Sequence, residues 1–323
     1  MVSRLLSGRP VRPAERAEAF APANIALVKY WGKRDAELNL PVTGSLSLSL
    51  GGLGSHTELR PAARDAFILD GERLADGHPL AERGRSFLDL FRTPECPGFA
   101  VATRNTIPTA AGLASSASGF AALVRALDRL FGWRLEPAAL SILARLGSGS
   151  ACRSVFEGFV EWRAGSAADG MDSLAAPLPE RWPGLCLGLL VLCAGPKAVG
   201  SREAMRRTME SSPLYAGWPA LVARDLEDVK GAIARRDFGR LGRAAEGNAL
   251  AMHATMLAAR PPVLYWREDS LAAIRRVQEL RADGLALYLT MDAGPNLKLL
   301  FETGDRAAVE SAFPPLQTVC PFG

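Results

Sequence analysis

The segment "SLSLSL", residues 45–50, alternates strictly between serine and leucine. In a β-strand successive side chains point to opposite faces, so Leu46, Leu48 and Leu50 share one face of a predicted strand. Similar alternation occurs in residues 23–31, 99–105, 155–162 and 285–292. The apolar segment "LCLGLLVLCA", residues 185–194, lies between Pro-Gly and Gly-Pro pairs and predicts a fully buried strand.

Helical spacing of apolar residues separates these strands. It predicts helices over residues 137–146 and 219–236, a helix from an Asp269 cap to Gly284, and a helix that follows a cap at Ser115 or Ser116. Strands and helices come in clusters rather than in strict alternation, which indicates an α+β fold. The Pro- and Gly-rich residues 177–184 suggest a boundary between a domain over residues 1–184 and another over residues 185–323.

Composition narrows the class of ligand. The 323 residues carry a formal net charge of +4, spread over many arginines without a long basic run or interleaved aromatics. This pattern favours a cleft for anionic metabolites over a nucleic-acid surface. The three histidines have no metal-ligand spacing, and His253 is expected to be a packed core residue.

Cysteine usage and apolar runs indicate the compartment. The five cysteines are odd in number and form no CxxC pair, so we expect reduced thiols rather than a disulfide framework or a zinc site. No apolar run is long enough to span a bilayer, and the first twenty residues carry several arginines without a long apolar region. We therefore expect a soluble, cytoplasmic protein without a membrane partner.

A small-residue loop, "IPTAAGLASSASGFAAL" at residues 107–123, precedes one predicted helix. Small side chains let a bound group approach the backbone, and the positive end of the following helix favours an anion such as phosphate. A tight loop packed under another element explains the same composition equally well. The sequence has no phosphate-binding GxxxxGK[ST] loop, HExxH or GxSxG motif that would decide between the two.

Four polar clusters lie where predicted elements end, and each also has a purely structural explanation. They are "ANIALVKYWGKRD" (residues 23–35), "GSGSACR" (147–153), "PKAVGSREAM" (196–205) and "YLTMDAGPN" (288–296). Lys29 either extends to solvent or faces a polar site, and strict alternation would place it opposite Asn24 unless the strand bends or ends between them. Arg153 suits a carboxylate or phosphate but could equally pair with a surface acid, and Asp292 could be a base or an Asx turn.

Five segments resemble, in order, the signature segments of the mevalonate diphosphate decarboxylase family: residues 23–35, "PTAAGLASSAS" (108–118), "GSGSACRSVFEGFVEW" (147–162), "MHATMLAARPP" (252–262) and "MDAGPN" (291–296). That family belongs to the GHMP small-molecule kinases. The resemblance implies two α+β domains with ATP and substrate in the cleft between them, and usually a homodimer. It also implies ATP- and Mg²⁺-dependent conversion of mevalonate 5-diphosphate to isopentenyl diphosphate, ADP, phosphate and CO₂.

The resemblance also implies roles for individual residues. Asp292 matches the catalytic aspartate, Lys29 a lysine near the reacting centre, and Arg153 the residue that fixes the substrate carboxylate. Further substrate positions are Asn24, Tyr30, Ser148, Ser150, Ser201 and Arg202. The ATP-phosphate loop corresponds to Pro108, Ala111, Gly112, Leu113, Ala114, Ser115 and Ser116, with Ser115 as a Mg²⁺ ligand.

The sequence departs from the family pattern in two segments. Thr43 and Gly44 stand where the family commonly has Asn before the serine of an N-x-S strand, and Ala198 replaces the second of two paired lysines. A decarboxylase of mevalonate 5-phosphate or of another 3-hydroxy acid would keep Lys29, Arg153 and Asp292. A GHMP kinase that phosphorylates without elimination is the other alternative.

Overall fold

The computed structural model describes residues 1–107, 115–195 and 197–322, except for the side chain of Ser115. The strands are β1 (Ala17–Val28), β2 (Lys33–Asp35), β3 (Leu40–Pro41), β4 (Ser45–Ala62), β5 (Ala66–Leu69), β6 (Glu72–Arg73), β7 (Gly98–Asn105), β8 (Phe159–Trp162), β9 (Ala175–Pro177), β10 (Leu185–Leu190), β11 (Tyr288–Met291), β12 (Leu297–Glu302) and β13 (Gln317–Val319). The helices are α1 (Val2–Leu5), α2 (Pro79–Leu88), α3 (Ser115–Phe131), α4 (Pro137–Gly147), α5 (Ser201–Ser211), α6 (Trp218–Arg235), α7 (Phe238–Leu257), α8 (Glu268–Ala282) and α9 (Arg306–Ala312).

The long strand β4 organises the first sheet. Over the described residues this sheet has seven strands in the order β6-β5-β7-β4-β8-β9, with β1 also paired to β4. The "SLSLSL" segment forms the start of β4, where it pairs with both β1 and β8. Further along, Gly54 packs so closely on the Ala21 carbonyl that a Cβ would clash with it, which explains the glycine there.

Strand β1 is irregular where it approaches its end. Its pairing with β4 shifts register between Pro22 and Asn24 and again between Ala26 and Val28, and the strand then stops. Such bulges re-aim the side chains that follow them. Asn24 and Lys29 consequently face the same cavity. The sequence requires such a bend or strand end if both residues serve one site.

The second sheet is antiparallel and contains four described strands in the order β11-β12-β10-β13. One of its faces packs on α8 and α9 through a core that includes Val277, Leu299 and Val309. The opposite face contributes Leu187 and Leu300 to a different core. Both faces are therefore buried, which explains the continuous apolar sequence of β10.

A central core joins the elements of the two sheets. It contains Leu46 and Leu48 from β4 together with Leu187 from β10, Val222 from α6 and Leu241 from α7. A separate core lies beneath the first sheet, between its strands and α2, α3 and α4. Because the central core draws on both halves of the sequence, it holds the ends of β1 and β11 in fixed relation.

Most predicted elements are confirmed, together with the α+β class. Several bounds were wrong. The strands predicted over residues 285–292 and 185–194 are shorter, at Tyr288–Met291 and Leu185–Leu190. The predicted strand over residues 155–162 begins only at Phe159, because Gly149–Val155 forms a 3-10 helix. The cap of α8 is Arg267 rather than Asp269, and β1 ends at Val28 rather than continuing to Trp31. Helix α3 already includes Ser115 and Ser116, so neither is its cap as predicted, and the cap position lies outside the described residues.

The prediction that all the cysteines are reduced was also wrong. Cys186 on β10 forms a disulfide with Cys320, which directly follows β13. The pairing of β10 with β13 brings the two cysteines together across a sequence separation of 134. The spacing of the cysteines in the sequence does not indicate that these two strands pair. Within the described ranges, every helix is too short or too polar to traverse a bilayer.

Replacing Leu48 with alanine should destabilise the protein by about 2–5 kcal/mol, because it opens a cavity in the shared core where Leu48 is fully buried. Urea unfolding followed by tryptophan fluorescence measures the change. Ile68→Ala, at a side chain 41% exposed, is the matched control and should change stability by less than about 1 kcal/mol. Equal effects of the two substitutions would contradict the central position of Leu48.

Candidate active site

A cavity of about 630 Å³ lies where β1, β11, α4 and α5 end or begin. Its lining is dominated by cationic and hydroxyl side chains, among them Lys29, Tyr30, Lys33, Arg83, Ser116, Ser148, Ser150, Arg153, Lys197, Ser201 and Arg202. Asp292 is the sole carboxylate among the described residues that line it. Such a cavity suits a polyanionic ligand.

Two buried lysines hold the Asp292 carboxylate. Lys29 Nζ lies 2.9 Å from Asp292 Oδ1, and Lys298 Nζ lies 3.0 Å from Asp292 Oδ2. Both lysine side chains are almost completely buried, whereas the Asp292 side chain is 26% exposed. Lys29 also donates to the carbonyl of Ala26 at 2.8 Å. The carboxylate therefore opens to the cavity with both of its oxygens already paired.

Burial and charge act in opposite directions on this cluster. Burial lowers the pKa of Lys29 to about 8, although Asp292 partly offsets the effect. Burial alone would raise the pKa of Asp292, but the ammonium groups of Lys29 and Lys298 outweigh it and hold that pKa well below its usual range. Asp292 is therefore ionised at neutral pH.

Arg153 lies deep in the cavity wall without a carboxylate partner. Its guanidinium donates to Asn24 Oδ1, at 3.3 Å from Nε and 3.2 Å from the terminal nitrogen Nη2, and also to Ser45 Oγ. Asn24 is itself oriented by its donation to Ser154 Oγ at 2.7 Å. In the part of the chain that the structure describes, no ion pair involves Arg153, so its fork remains available to an anionic ligand.

A second cationic group surrounds the end of α4. Arg83 and Arg202 both donate to the carbonyl of Gly147, at 2.8 and 3.2 Å. This carbonyl belongs to the negative end of a helix, which favours nearby cations. Burial and the neighbouring guanidinium groups lower the pKa of Lys33 to about 8. Across the described ranges, Lys33, Arg83 and Arg202 form no ion pair with a carboxylate.

Tyr30 supplies a polar atom that lacks a partner. Its hydroxyl is buried beside the cavity and makes no hydrogen bond to a described residue. Burial raises the pKa of this hydroxyl, so it remains a donor. The ring lies against Gly149, where a Cβ would come within 2.8 Å of it. A phosphate oxygen in the cavity would satisfy the orphaned hydroxyl.

The cationic and hydroxyl side chains that line the cavity suit phosphate groups. They suit Mg²⁺ only when the ion is bound to those phosphates. No group of three or more His, Cys, Asp or Glu side chains able to bind a metal occurs in residues 1–107, 115–195 and 197–322. Mg²⁺ bound with nucleotides usually takes few protein ligands and several phosphate or water oxygens. The many cations and the single carboxylate of this cavity agree with that arrangement.

All ten predicted site residues whose side chains the structure describes line this one cavity. They are Asn24, Lys29, Tyr30, Ser116, Ser148, Ser150, Arg153, Ser201, Arg202 and Asp292. Pro108 and Ala111, Gly112, Leu113 and Ala114 lie outside the described residues, as does the side chain of Ser115. Their predicted contacts with ATP phosphates and Mg²⁺ stay predictions.

Two family models match almost the whole chain. Residues 21–175 match the model of a diphosphomevalonate decarboxylase-like N-terminal domain, and residues 188–319 match that of a mevalonate 5-diphosphate decarboxylase C-terminal domain. The chain belongs to the diphosphomevalonate decarboxylase family. The family resemblance expected from the sequence is thereby confirmed.

Individual members of the diphosphomevalonate decarboxylase family are similar over most of their length. The Aspergillus fumigatus enzyme is 38% identical over 321 residues, which cover 92% of this chain and 80% of that protein. The Staphylococcus aureus structure has a TM-score of 0.89 at 35% identity and covers 95% of each chain. The structure of MDDEF in complex with MVAPP, AMPPCP and magnesium has a TM-score of 0.88 at 40% identity. The match covers 95% of this chain and 97% of that chain.

Sequence reasoning missed several residues around Asp292. Lys298 was not singled out, although a lysine within the apolar segment "LKLLFE" was the available signal. His253 is buried as expected, but its Nε2 also lies 3.1 Å from the Asp292 carbonyl oxygen. The sequence around Arg83 and Asn248 does not indicate a functional role for either residue, because their contacts join elements far apart in sequence.

Arg202→Gln should weaken binding of inorganic diphosphate roughly tenfold or more, since a charge-assisted hydrogen bond contributes about 1.5–3 kcal/mol. Isothermal titration calorimetry measures the affinity. Arg206→Gln on the same helix is the control, because its side chain is 58% exposed and paired with Glu203 and Glu210. Equal losses in both variants would show that only the overall charge matters.

Proposed function

We propose that this protein catalyses ATP- and Mg²⁺-dependent decarboxylation of mevalonate 5-diphosphate to isopentenyl diphosphate, ADP, phosphate and CO₂. The observation that carries the proposal is the common cavity of the Lys29–Asp292 ion pair and the unpaired Arg153 guanidinium. Phosphorylation of a hydroxyl and loss of a neighbouring carboxylate both need groups of these types. The membership in the diphosphomevalonate decarboxylase family supports the same reaction.

The first step transfers the γ-phosphoryl group of ATP to the tertiary 3-hydroxyl, because phosphate is a better leaving group than hydroxide. Asp292 accepts a hydrogen bond from that hydroxyl and takes up its proton as the new P–O bond forms. A carboxylate with a lowered pKa is a weak base early in the step. Phosphoryl transfer has a loose transition state in which positioning matters more than early proton removal, so an orienting carboxylate is adequate.

The second step breaks the C3–O bond to phosphate and the bond between the carboxylate carbon and C2. The electron pair of the latter bond becomes the C2–C3 double bond as CO₂ departs. Arg153, oriented by Asn24 and Ser45, holds the carboxylate so that the breaking bond is aligned. Lys29 offsets the negative charge that develops on the transferring and departing phosphate.

Charged and hydroxyl groups further along the cavity fit the phosphates. Lys33, Tyr30, Ser201 and Arg202 bind the 5-diphosphate in this proposal, with Ser201 at the start of α5 where a helix favours an anion. Pro108 and residues 111–116 hold the ATP phosphates in this proposal. Ser115 would hold Mg²⁺ together with phosphate oxygens, and the bound ion would supply neutralisation of phosphate charge.

The division into units of residues 1–184 and 185–323 remains a proposal. The change from the first sheet to the second between β9 and β10 supports it. From the family resemblance, we further propose that the chain forms a homodimer. We also keep the cytoplasm as its proposed location, although the Cys186–Cys320 disulfide removes reduced cysteines as support for it. Sedimentation equilibrium and microscopy of a tagged chain test these two statements.

A panel of three substrates tests the proposed reaction. Mevalonate, its 5-phosphate and its 5-diphosphate are each incubated with MgATP, and released CO₂ and ADP are both measured. The 5-diphosphate should give equal amounts of the two products. ADP without CO₂ would instead identify a kinase, and turnover of only the 5-phosphate would move the assignment to that substrate.

Asp292→Asn should lower kcat by about 100-fold to 10,000-fold, because the amide cannot take up the hydroxyl proton. MgATP affinity should change by less than about twofold, since the carboxylate orients the acceptor hydroxyl rather than the nucleotide. Coupled ADP release and equilibrium dialysis measure the two quantities. Asp283→Asn, at an exposed aspartate, is the control. Wild-type kcat in Asp292→Asn would remove Asp292 from the mechanism.

The pH dependence of kcat/KM follows from the buried lysines. Lys29 and Lys33 both have pKa values of about 8, because burial disfavours the charged ammonium. Each loses its proton as the pH rises through that value, so kcat/KM should be constant near neutral pH and fall above about pH 8.

Lys33→Arg separates the two titrations. This variant keeps a positive charge at high pH, so its alkaline decline should reflect one proton where the wild type loses two. Steady-state rates across the alkaline range, with circular dichroism at each pH as a folding control, give the profiles. A constant kcat/KM through pH 10, about two pH units above the Lys29 pKa, would show that no ammonium group is needed.

A further inference from the structure

We propose that helix α7 fixes the Lys29–Asp292 ion pair by holding the main chain of both residues, with Asn248 and His253 as positioning residues. The inference rests on the proposed function, because it assigns those two residues to the reaction through the ion pair. Neither side chain lines the cavity. Their contribution therefore differs from that of a residue that touches substrate.

The Lys29 side of this contact replaces a lost strand pairing. Strand β1 ends at Val28, and the N–H of Lys29 donates to Asn248 Oδ1 at 2.7 Å. Asn248 in turn donates from Nδ2 to Asp225 Oδ2 of α6 at 2.9 Å. Asn248 and Asp225 are both buried, so the Asp225 carboxylate determines which way the amide faces.

The Asp292 side is built in the same way. Strand β11 ends at Met291, and the Asp292 carbonyl lies 3.1 Å from His253 Nε2. A carbonyl can only accept, so Nε2 carries the proton. The imidazole stacks on Trp266 with ring centroids 5.4 Å apart, and burial lowers its pKa to about 4. His253 is therefore neutral and has a single orientation.

The two contacts attach strand ends that are 263 residues apart in sequence to one helix. Residues 248 and 253 are five positions apart on α7, a rise of about 7.5 Å along a rigid axis. The 2.9 Å separation of Lys29 Nζ and Asp292 Oδ1 thus depends on a third element. A displacement of about 1 Å at reacting groups lowers a rate by about 100-fold.

Asn248→Ala and His253→Leu remove the two contacts one at a time. Each should lower kcat about 10-fold to 100-fold while KM for MgATP and for mevalonate 5-diphosphate stays within about threefold. Loss of positioning affects the reacting pair, whereas the phosphate-binding cations remain in place. A fall in substrate affinity with unchanged kcat would overturn the proposal.

Conservative replacements test the chemistry of each contact. Asn248→Asp alone should be as slow as Asn248→Ala, because it places two carboxylates together. Combining Asn248→Asp with Asp225→Asn exchanges the amide and the carboxylate. The carboxylate at position 248 can still accept from the Lys29 N–H, and the amide at position 225 can donate to that carboxylate. This double variant and His253→Gln, which retains an N–H donor, should recover at least half of the wild-type kcat.

Met256→Ala is the matched control for general damage to α7. Met256 is buried on the same helix and belongs to the shared core. This variant should lower the unfolding midpoint yet keep the wild-type kcat. If Asn248→Ala loses kcat only to the extent that Met256→Ala does, or if the exchanged pair recovers nothing, the positioning role is wrong.

Hydrogen exchange at the Lys29 amide provides a readout that is independent of turnover. Asn248→Ala should accelerate it, and the double exchange variant should restore it. If folded wild-type protein releases no CO₂ from the substrate panel, the proposed function fails, while amide exchange still decides whether Asn248 holds Lys29. Unaltered exchange in Asn248→Ala would overturn that contact whatever the reaction is.

Discussion

The buried cluster of Lys29, Asp292 and Lys298 is the constraint around which the cavity is organised. Buried ammonium groups are tolerated only if they are paired with good geometry, and the Asp292 carboxylate, which opens to the cavity, pairs with both lysines. Lys29 comes from the end of β1, Asp292 from the end of β11 and Lys298 from β12. The two sheets therefore need a fixed relation, and the central core and α7 supply it.

The same constraint explains the irregular course of β1. A regular strand would place Asn24 and Lys29 on opposite faces, and only one of them could then reach the cavity. The register shifts before Asn24 and before Val28, followed by the strand end, give both residues access to it. The unpaired main chain that results is satisfied by Asn248 on a distant helix, so a local irregularity is compensated by tertiary structure.

Periodicity and local chemistry predicted much of this molecule. The alternation in "SLSLSL" identified the start of β4, and polar residues at element ends identified Lys29, Arg153 and Asp292. The family resemblance added their expected roles. Long-range pairing was not predictable in this way: the contact of β10 with β13 places Cys186 beside Cys320, and the approach of β12 to Asp292 makes Lys298 part of the cluster. The disulfide has no signature within a short segment, and the lysine within the apolar segment "LKLLFE" does not indicate which carboxylate it contacts.

The shared contact of Arg83 and Arg202 with one helix-end carbonyl has a kinetic consequence. Their charges, with those of Lys33 and Lys197, face a cavity with a single described carboxylate, so the field at its mouth attracts polyanions before any contact forms. Attraction of this kind accelerates encounter and is weakened by mobile ions, whose screening length is about 8 Å at physiological ionic strength. Mobile ions should therefore slow the encounter of this cleft with a polyanion.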